Sequence, residues 1–437
     1  MRDRIAAVAK QREEVQRIIA AEFPRHVALS RPAPLPLSEI QASLADDEAV
    51  VVVILSSNAS HVWAITNDQS GWQELSVTAA QVAATVRTLR RQLEVTSREP
   101  FDTALAYELY RQLLGPVEAL IAGKPRLSVI MNGALTSLPP AVLVTGDPAG
   151  NTLKEVDWLI RRHALTILPS LASLKVLRSR TAVSSAAKPL IGFADPVFDR
   201  NAPRAEPRKM AVLARADAMR GTVANVRMLA PALPALPETG EELEKVAASV
   251  GAAATDVFLG EQATETRVKR SKLDDYRIVY FATHGLLAGE VETLAKLKAE
   301  PALVLSLPNN PTEFDDGLLT ASEAAQLKLN ADWVVLSACN TAAGDRPGAE
   351  ALSGLASAFF YAGSRSLLVS HWPVEVASPV QLMGGTFAAI AGDAKLSHGE
   401  ALRKSMLAMI DDPERPEWAE PKFWAPFVVV GEPAKPH

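Results

Sequence analysis

Short apolar segments alternate with longer helical segments over most of the chain, beginning at Arg126. The apolar segments have the length of buried strands, and the segments between them carry apolar residues at helical spacing. Strands that are apolar throughout and alternate with helices are typical of a parallel sheet covered on both faces. We therefore predict an α/β fold with a mostly parallel sheet. The predicted strands are 127–131, 164–168, 189–194, 277–283, 302–307, 333–338, 366–370 and 427–430, and the longer helices between them are 238–250, 264–271, 320–327, 350–362, 378–391 and 397–410.

The first hundred residues are organised differently. Residues 1–30 are predicted to hold a leading helix, because apolar residues recur at helical spacing until Pro24 ends the pattern. A proline-rich joint at 31–37 then opens a small N-terminal α/β unit over 31–100. This unit has two predicted strands and one predicted helix, and the main domain follows over 101–437, opening with a second helix. These elements are the strands 50–55 and 61–66 and the helices 78–93 and 101–122.

The composition is that of a soluble globular protein, with 437 residues of which 48% are hydrophobic and 22% charged. The net charge of −5 provides no basic surface for nucleic acid and no polybasic stretch for a membrane, so neither partner is predicted. A single cysteine cannot form an internal disulfide, and the N-terminal residues lack the apolar core of a signal peptide. We therefore predict a cytoplasmic protein. The scattered histidines and the lack of P-loop or GxGxxG sequences predict no metal and no cofactor.

Two strand ends carry the candidate chemistry. The single cysteine, Cys339, follows the predicted strand 333–338, and His284 follows the strand 277–283 in the same manner. If these strands are parallel neighbours, the thiol and the imidazole project from the edge where open α/β sheets place their chemistry. The imidazole would take the thiol proton and so make the nucleophilic thiolate. The backbone N–H groups of Gly285 and Cys339 would then form the oxyanion hole, since a glycine lets its amide approach closely.

Each of these residues has a structural explanation as well. A lone cysteine at the end of an apolar strand is more often a small buried hydrophobe, and a histidine before a glycine is often structural. The pair carries more weight than either residue, because caspase-type cysteine peptidases have their histidine roughly 50 residues before the cysteine.

The same segments carry a family resemblance. Phe281-Ala-Thr-His-Gly285 and Leu336-Ser-Ala-Cys-Asn-Thr-Ala342 resemble the two signature motifs of CHAT-domain peptidases, which are caspase-like cysteine peptidases related to separase and gingipain. Similar segments occur in the expected order from roughly Phe101 to Gly431. They are Leu127 to Leu143, Trp158 to Leu174, Gly192 to Pro196, Gly354 to Gly363, Ser370 to Val374 and Trp424 to Phe427.

The resemblance implies a caspase-like fold with a supporting or pseudo-catalytic half at 101–235 and a catalytic half at 236–437. It implies a cysteine endopeptidase of protein or peptide substrates, in a regulated signalling or defence role, with His284 as general base and Cys339 as nucleophile of a thioester mechanism. The family usually bears N-terminal tetratricopeptide repeats. Here only the leading helix precedes the joint, which implies a fragment of a longer protein or a regulatory partner that supplies the helical repeats.

Substrate contacts are predicted beside the nucleophile. In caspase-like folds the pocket for the residue before the scissile bond is built partly after the strand that follows the nucleophile strand, so His371, Trp372 and Glu375 are candidates. Trp372 would form a wall and Glu375 would attract a basic side chain, whereas a hydrated loop carboxylate explains Glu375 equally well. His371 is predicted to be structural rather than a second base. Asp345, in the loop after Cys339, is a further candidate for substrate binding.

Two other functions fit the same residues: a catalytically inactive scaffold of the same fold, and a thiol hydrolase that is not a peptidase. A regulatory hypothesis concerns the stretch from Asp199 to Leu236, which is rich in Arg, Ala and Pro and has little periodicity. The hypothesis is that this stretch is a long loop that gates the site. An ordered flap and a disordered linker are equally consistent with its composition.

Overall fold

The computed structural model describes residues 34–178, 184–199, 233–286, 300–338, 354–372 and 377–431, together with Arg17. Within these residues thirteen strands form one mixed sheet. The strands are β1 (Glu48–Ile54), β2 (Ser60–Thr66), β3 (Ser70–Leu75), β4 (Arg126–Met131), β5 (Ala164–Ile167), β6 (Lys188–Ala194), β7 (Val257–Leu259), β8 (Tyr276–Leu286), β9 (Ala302–Val304), β10 (Leu318–Thr320), β11 (Trp333–Ala338), β12 (Ser366–Ser370) and β13 (Phe427–Gly431).

Helices separate most of these strands. In chain order the α-helices of the described residues are α1 (Leu37–Ala42), α2 (Ala79–Gln92), α3 (Thr103–Leu113), α4 (Glu118–Ile121), α5 (Leu159–Arg162), α6 (Leu171–Arg178), α7 (Glu238–Ser249), α8 (Glu265–Arg270), α9 (Ala321–Ala324), α10 (Gly354–Ala362), α11 (Ala377–Gly392), α12 (His398–Ile410) and α13 (Pro421–Trp424). Several of these helices begin with a side-chain cap. At the start of α12, Ser397 and Glu400 form a reciprocal capping box.

The central strands pair in the order β6–β8–β11–β12, and all three of these pairings are parallel. On one side β12 pairs antiparallel with β13, which continues through β5 and β4 to β1 by parallel pairing. The antiparallel strands β2 and β3 then end the sheet at one edge. The prediction of an α/β fold with a mostly parallel sheet is confirmed.

Helices cover both faces of this central region. On one face Phe387 of α11 packs on Tyr280 and Trp333, with ring centroids 6.1 and 5.0 Å apart. On the opposite face Phe359 of α10 packs on Phe281 at 5.6 Å. Because both faces of β8 and β11 are buried in this way, these strands contain nearly continuous apolar residues, which explains why their sequences could be recognised as strands.

Several short or exposed elements escaped the sequence pattern. β3 is an edge strand whose side chains are mostly exposed, so it has no apolar run to signal it. The predicted helix at 101–122 is interrupted after Leu113 by a short 3-10 turn at Gly115–Val117, where Pro116 cannot donate a backbone hydrogen bond. Residues 31–100 contribute β1 to β3, and β1 pairs directly with β4. The division of the chain at residue 100 stays a prediction.

Three predicted features fall largely outside the described residues. Of the leading helix at 1–30 only Arg17 is described, and it is helical and exposed. Residues 200–232 of the predicted gating loop are not described. The same is true of Cys339, Asp345 and Glu375.

Candidate active site

The register between β8 and β11 brings the two predicted strand ends together. The strands are parallel neighbours from Trp333↔Ile278 to Ala338↔Thr283. His284 follows Thr283 directly, and Cys339 is the residue after Ala338 in the sequence. The parallel adjacency of the two strands that a dyad requires is therefore present up to the last described residue of β11.

His284 lies in a closely packed environment at this edge. Its side chain is only 4% exposed, and its Nε2 atom lies 2.9 Å from the carbonyl oxygen of Pro234. The ring of Phe198 packs against the imidazole, with centroids 5.1 Å apart. Because a carbonyl oxygen can only accept, this hydrogen bond requires the proton on Nε2 and leaves Nδ1 unprotonated in the neutral ring. Neither Pro234 nor Phe198 was singled out from the sequence.

The loop after β6 carries Phe198 to this position. It begins at Asp195, the one non-glycine residue with a positive φ (49°) among the described residues, and aspartate tolerates this conformation better than most residues do. The Asp195 backbone N–H donates to the Thr239 hydroxyl at 2.9 Å, which ties the turn to the start of α7. Thr239 in turn donates to the carbonyl of Leu236, two residues after Pro234. These hydrogen bonds link the loop that carries Phe198 to the segment that carries Pro234.

The backbone beside His284 is held by β9. His284, Gly285 and Leu286 pair antiparallel with Val304, Leu303 and Ala302. The Thr283 hydroxyl also donates to the Val304 carbonyl. Gly285, the predicted oxyanion-hole residue, is therefore part of an ordered strand rather than a free loop.

A buried polar pair lies beneath the histidine on the same face of β8. The Tyr280 hydroxyl donates to Glu242 Oε1 of α7 at 2.5 Å, and both residues are almost fully buried. Burial and the neighbouring Glu242 charge raise the pKa of Tyr280 well above its usual value, so it remains a neutral donor. The sequence contained no signal for this pair, because Glu242 lies on a helix 38 residues away.

The segment after β12 contains the other described candidates. Trp372 is 2% exposed, and its indole N–H donates to the carbonyl of Lys422 at 3.1 Å. The Arg90 guanidinium of α2 lies 4.7 Å from the centre of the indole ring and donates through Nη2 to the His371 carbonyl at 3.1 Å. Burial lowers the pKa of Arg90 to about 10. Arg90 therefore joins the N-terminal part of the chain to the end of β12, a contact that no local sequence pattern indicates.

His371 is buried, and this burial, with a further contribution from the Arg90 charge, lowers its pKa to about 3. It lines a small cavity of about 20 Å³ together with Thr136 and apolar residues of β4, β5, β12 and β13. A histidine that stays neutral at physiological pH in an apolar cavity is poorly suited to catalyse proton transfer. This geometry supports the prediction that His371 is structural.

Buried histidines make the stability of this fold depend on pH. Burial also lowers the pKa of His398 to about 4. The Nδ1 atom of this histidine lies 2.8 Å from the Ser366 hydroxyl. In the unfolded chain both histidines would titrate near 6.5. Between their folded and unfolded pKa values the unfolded state binds more protons, so stability falls as the pH drops below about 6.5. We expect each histidine to account for a loss of about 2 kcal/mol between pH 7 and pH 5.

Urea unfolding midpoints at pH 7 and pH 5 would measure this loss. The His398→Gln variant should show a smaller difference between the two pH values, whereas His61→Gln, on the partly exposed face of β2, controls for the removal of any histidine. An unchanged pH dependence in His398→Gln would contradict the assignment.

A family model described as the CHAT domain matches residues 103–432, and the chain belongs to this family. The recognition of the family from the two motifs is thereby confirmed. The match begins after α2, so Arg90 and β1 to β3 lie outside it.

Curated relatives are tetratricopeptide repeat proteins. The chain is similar to tetratricopeptide repeat protein 28 of Mus musculus, with 27% identity over 226 residues, which is 46% of this chain and 9% of that protein. It is 24% identical over 361 residues to the Homo sapiens protein of the same name, covering 75% of this chain and 13% of that protein. The chain thus spans only a small part of the relatives that it matches.

Two solved structures align with most of the chain at low similarity. One is the Saccharomyces cerevisiae separase-securin complex, with a TM-score of 0.47, 11% identity and coverage of 95% of this chain and 31% of that chain. The other is the Arg-specific cysteine proteinase gingipain R, with a TM-score of 0.41, 11% identity and coverage of 92% and 80%. Within the part of the chain that the structure describes, no helix is both long enough and apolar enough to cross a bilayer.

Proposed function

We propose that the chain is a cysteine endopeptidase that cleaves protein partners through a Cys339/His284 dyad. The observation that carries this proposal is the parallel register of β8 and β11, which ends at Ala338↔Thr283. In parallel strands, paired positions project to the same face. Continuation of the register by one residue would place Cys339 beside His284, on the face that also carries Tyr280.

The hydrogen bond to Pro234 supports the role of His284 as base. With the proton held on Nε2, Nδ1 is the nitrogen that takes the proton of the Cys339 thiol. The thiolate attacks the peptide carbonyl, and the imidazolium returns its proton to the leaving amine as the C–N bond breaks. The resulting thioester is hydrolysed by water, which returns the free thiol. The Pro234 carbonyl therefore acts as a positioning group for the imidazole.

The oxyanion would be bound by the backbone N–H groups of Gly285 and Cys339. Pairing of residues 284–286 with β9 supports a fixed orientation for the Gly285 backbone. A fixed donor stabilises the developing charge without reorganisation during the reaction.

Substrate binding is proposed for Asp345 and Glu375, with Trp372 in a supporting role. Because the Trp372 ring is buried between Arg90 and the Lys422 carbonyl, its proposed role is to hold the chain that leads to Glu375. Glu375 would attract a basic substrate side chain. A protein regulator, a helical-repeat partner, a cytoplasmic location and a signalling or defence role remain part of this proposal, and the tetratricopeptide relatives are consistent with a repeat-containing partner.

A second candidate function is a protein-interaction scaffold with the same fold. The burial of His284 under Phe198 favours it, because a catalytic base must be reachable by substrate. In this function the site is closed and the family fold serves to bind partners.

Incubation with a diverse peptide pool separates the two functions. Cleavage by the unmodified chain that is absent from Cys339→Ala supports the peptidase, and cleavage that survives this substitution rules out the dyad. Absence of cleavage together with slow alkylation of Cys339 at neutral pH supports the scaffold.

A further inference from the structure

The sheet end formed by β1, β2 and β3 has an open aromatic face, which we define as Ile54, His61, Trp63 and Trp72. Trp63 and Trp72 are cross-strand partners, and Ile54 is paired with His61. The His61 ring lies 5.5 Å from Trp63 and 5.9 Å from Trp72. Trp72 is 59% exposed and Ile54 is 38% exposed. Large contiguous apolar groups on a surface are typical of an interaction site.

The remainder of the same sheet face is already covered by a helix. Ile40 and Leu44, in and just after α1, pack with Val50 and Ile65, and the partly buried Trp63 joins this cluster. α1 has only six residues and therefore covers one end of the face. The other end carries Trp72 and Ile54, which stay exposed.

The chain itself supplies a suitable segment at this place. The described part resumes at Pro34, and Leu35 packs against the cluster that contains Trp63. The preceding residues are therefore tethered beside the aromatic face. Within them lies the predicted amphipathic helix, whose one described residue, Arg17, is helical and exposed. The apolar stripe of this helix consists of Ile5, Val8, Ala9, Val15, Ile18 and Ile19.

We propose that residues 5–19 dock their apolar stripe on the aromatic face as a helix beside α1. A helix of this length spans about 22 Å, and the connection from residue 20 to residue 34 reaches about 45 Å when extended, so the distance presents no obstacle. The charges of the two surfaces are also complementary. Residues 1–20 contain more Lys and Arg than Asp and Glu, and the exposed Glu74 lies on the same side of β3 as Trp72. Neither the catalytic dyad nor the family match enters this inference.

Hydroxyl-radical footprinting of the full chain tests the docking, with oxidation of Trp72 quantified by mass spectrometry. A Val15→Asp/Ile18→Asp variant should raise Trp72 oxidation by about fivefold or more, because a covered indole becomes open to solvent. Arg17→Asp is the matched control on the exposed side of the segment and should leave Trp72 unchanged. Phe314, which is 47% exposed on a distant loop, is the internal reference.

Equal oxidation of Trp72 in all three proteins would overturn the proposal, since the face is then open or covered by something else. Protection of Trp72 that disappears on dilution would overturn it too, because the occupant is then a second copy of the chain. A reciprocal variant keeps the test valid if the double substitution impairs folding. Trp72→Arg should accelerate hydrogen exchange in peptides from residues 1–33, and Phe314→Arg should not; unchanged exchange in Trp72→Arg counts against the docking.

Discussion

The His284→Ala variant should cleave a peptide substrate at least about a thousandfold more slowly than the unmodified chain. Without the imidazole the Cys339 thiol stays mostly protonated at neutral pH and no acid assists the leaving amine. The measurement is kcat/KM on a peptide identified from the pool. In parallel, the alkylation rate of Cys339 at pH 7 should fall by about tenfold or more, as thiolate is lost.

The alkylation rate of Cys339 tests this prediction even if the isolated chain needs a partner for cleavage. Cys339 is the only thiol in the chain, so every alkylated molecule reports on this position. His61→Ala, which removes a partly exposed histidine from β2, should alkylate like the unmodified chain. Equal rates in His284→Ala and the unmodified chain would mean that the imidazole does not interact with the thiol.

The Trp372→Ala variant should lose about 3–5 kcal/mol of unfolding free energy, the usual range for truncation of a buried tryptophan. The indole is 2% exposed, donates to the Lys422 carbonyl and lies against the Arg90 guanidinium, so its removal leaves a cavity beside this cation. Chemical denaturation monitored by circular dichroism would measure the change.

The control for this prediction is Phe314→Ala, which truncates an aromatic ring that is 47% exposed. It should cost less than about 1 kcal/mol, because about half of the side chain is exposed and the ring lies against the Lys269 and Arg270 cations rather than in the core. A Trp372→Ala cost no greater than that of Phe314→Ala would show that Trp372 is not a core residue in solution and would favour its role as an exposed pocket wall.

Much of the fold could be predicted from the sequence, because the central strands are buried on both faces. β8, β11, β12 and β13 therefore carry nearly continuous apolar residues, and all four were predicted within a few residues of their observed bounds. β3 was missed for the opposite reason, since an exposed edge strand has no such run. The prediction of one helix over 101–122 failed at Gly115 and Pro116, where tight turn chemistry overrides the helical spacing.

The candidate site was predictable only in part. His284 and Gly285 were identified by their place at a strand end, and the structure puts them beside the end of β11. Arg90 and Pro234 were not identified, because an arginine on an amphipathic helix and a proline in an irregular segment have many ordinary explanations. Their contacts join residues that are 281 and 50 positions apart in the chain, and no local pattern records such a contact.

The sequence by itself determined the alternation of strands and helices, the family, and the two strand ends at which the residues of the proposed dyad occur. These features depend on periodicity and on local turn chemistry, which are properties of neighbouring residues. Only the tertiary structure decided that β1 to β3 extend the main sheet, that the Pro234 carbonyl orients His284, and that Arg90 holds the end of β12. The physical reason is that burial and hydrogen bonding between distant segments depend on how the whole chain packs, which the spacing of residues along it does not specify.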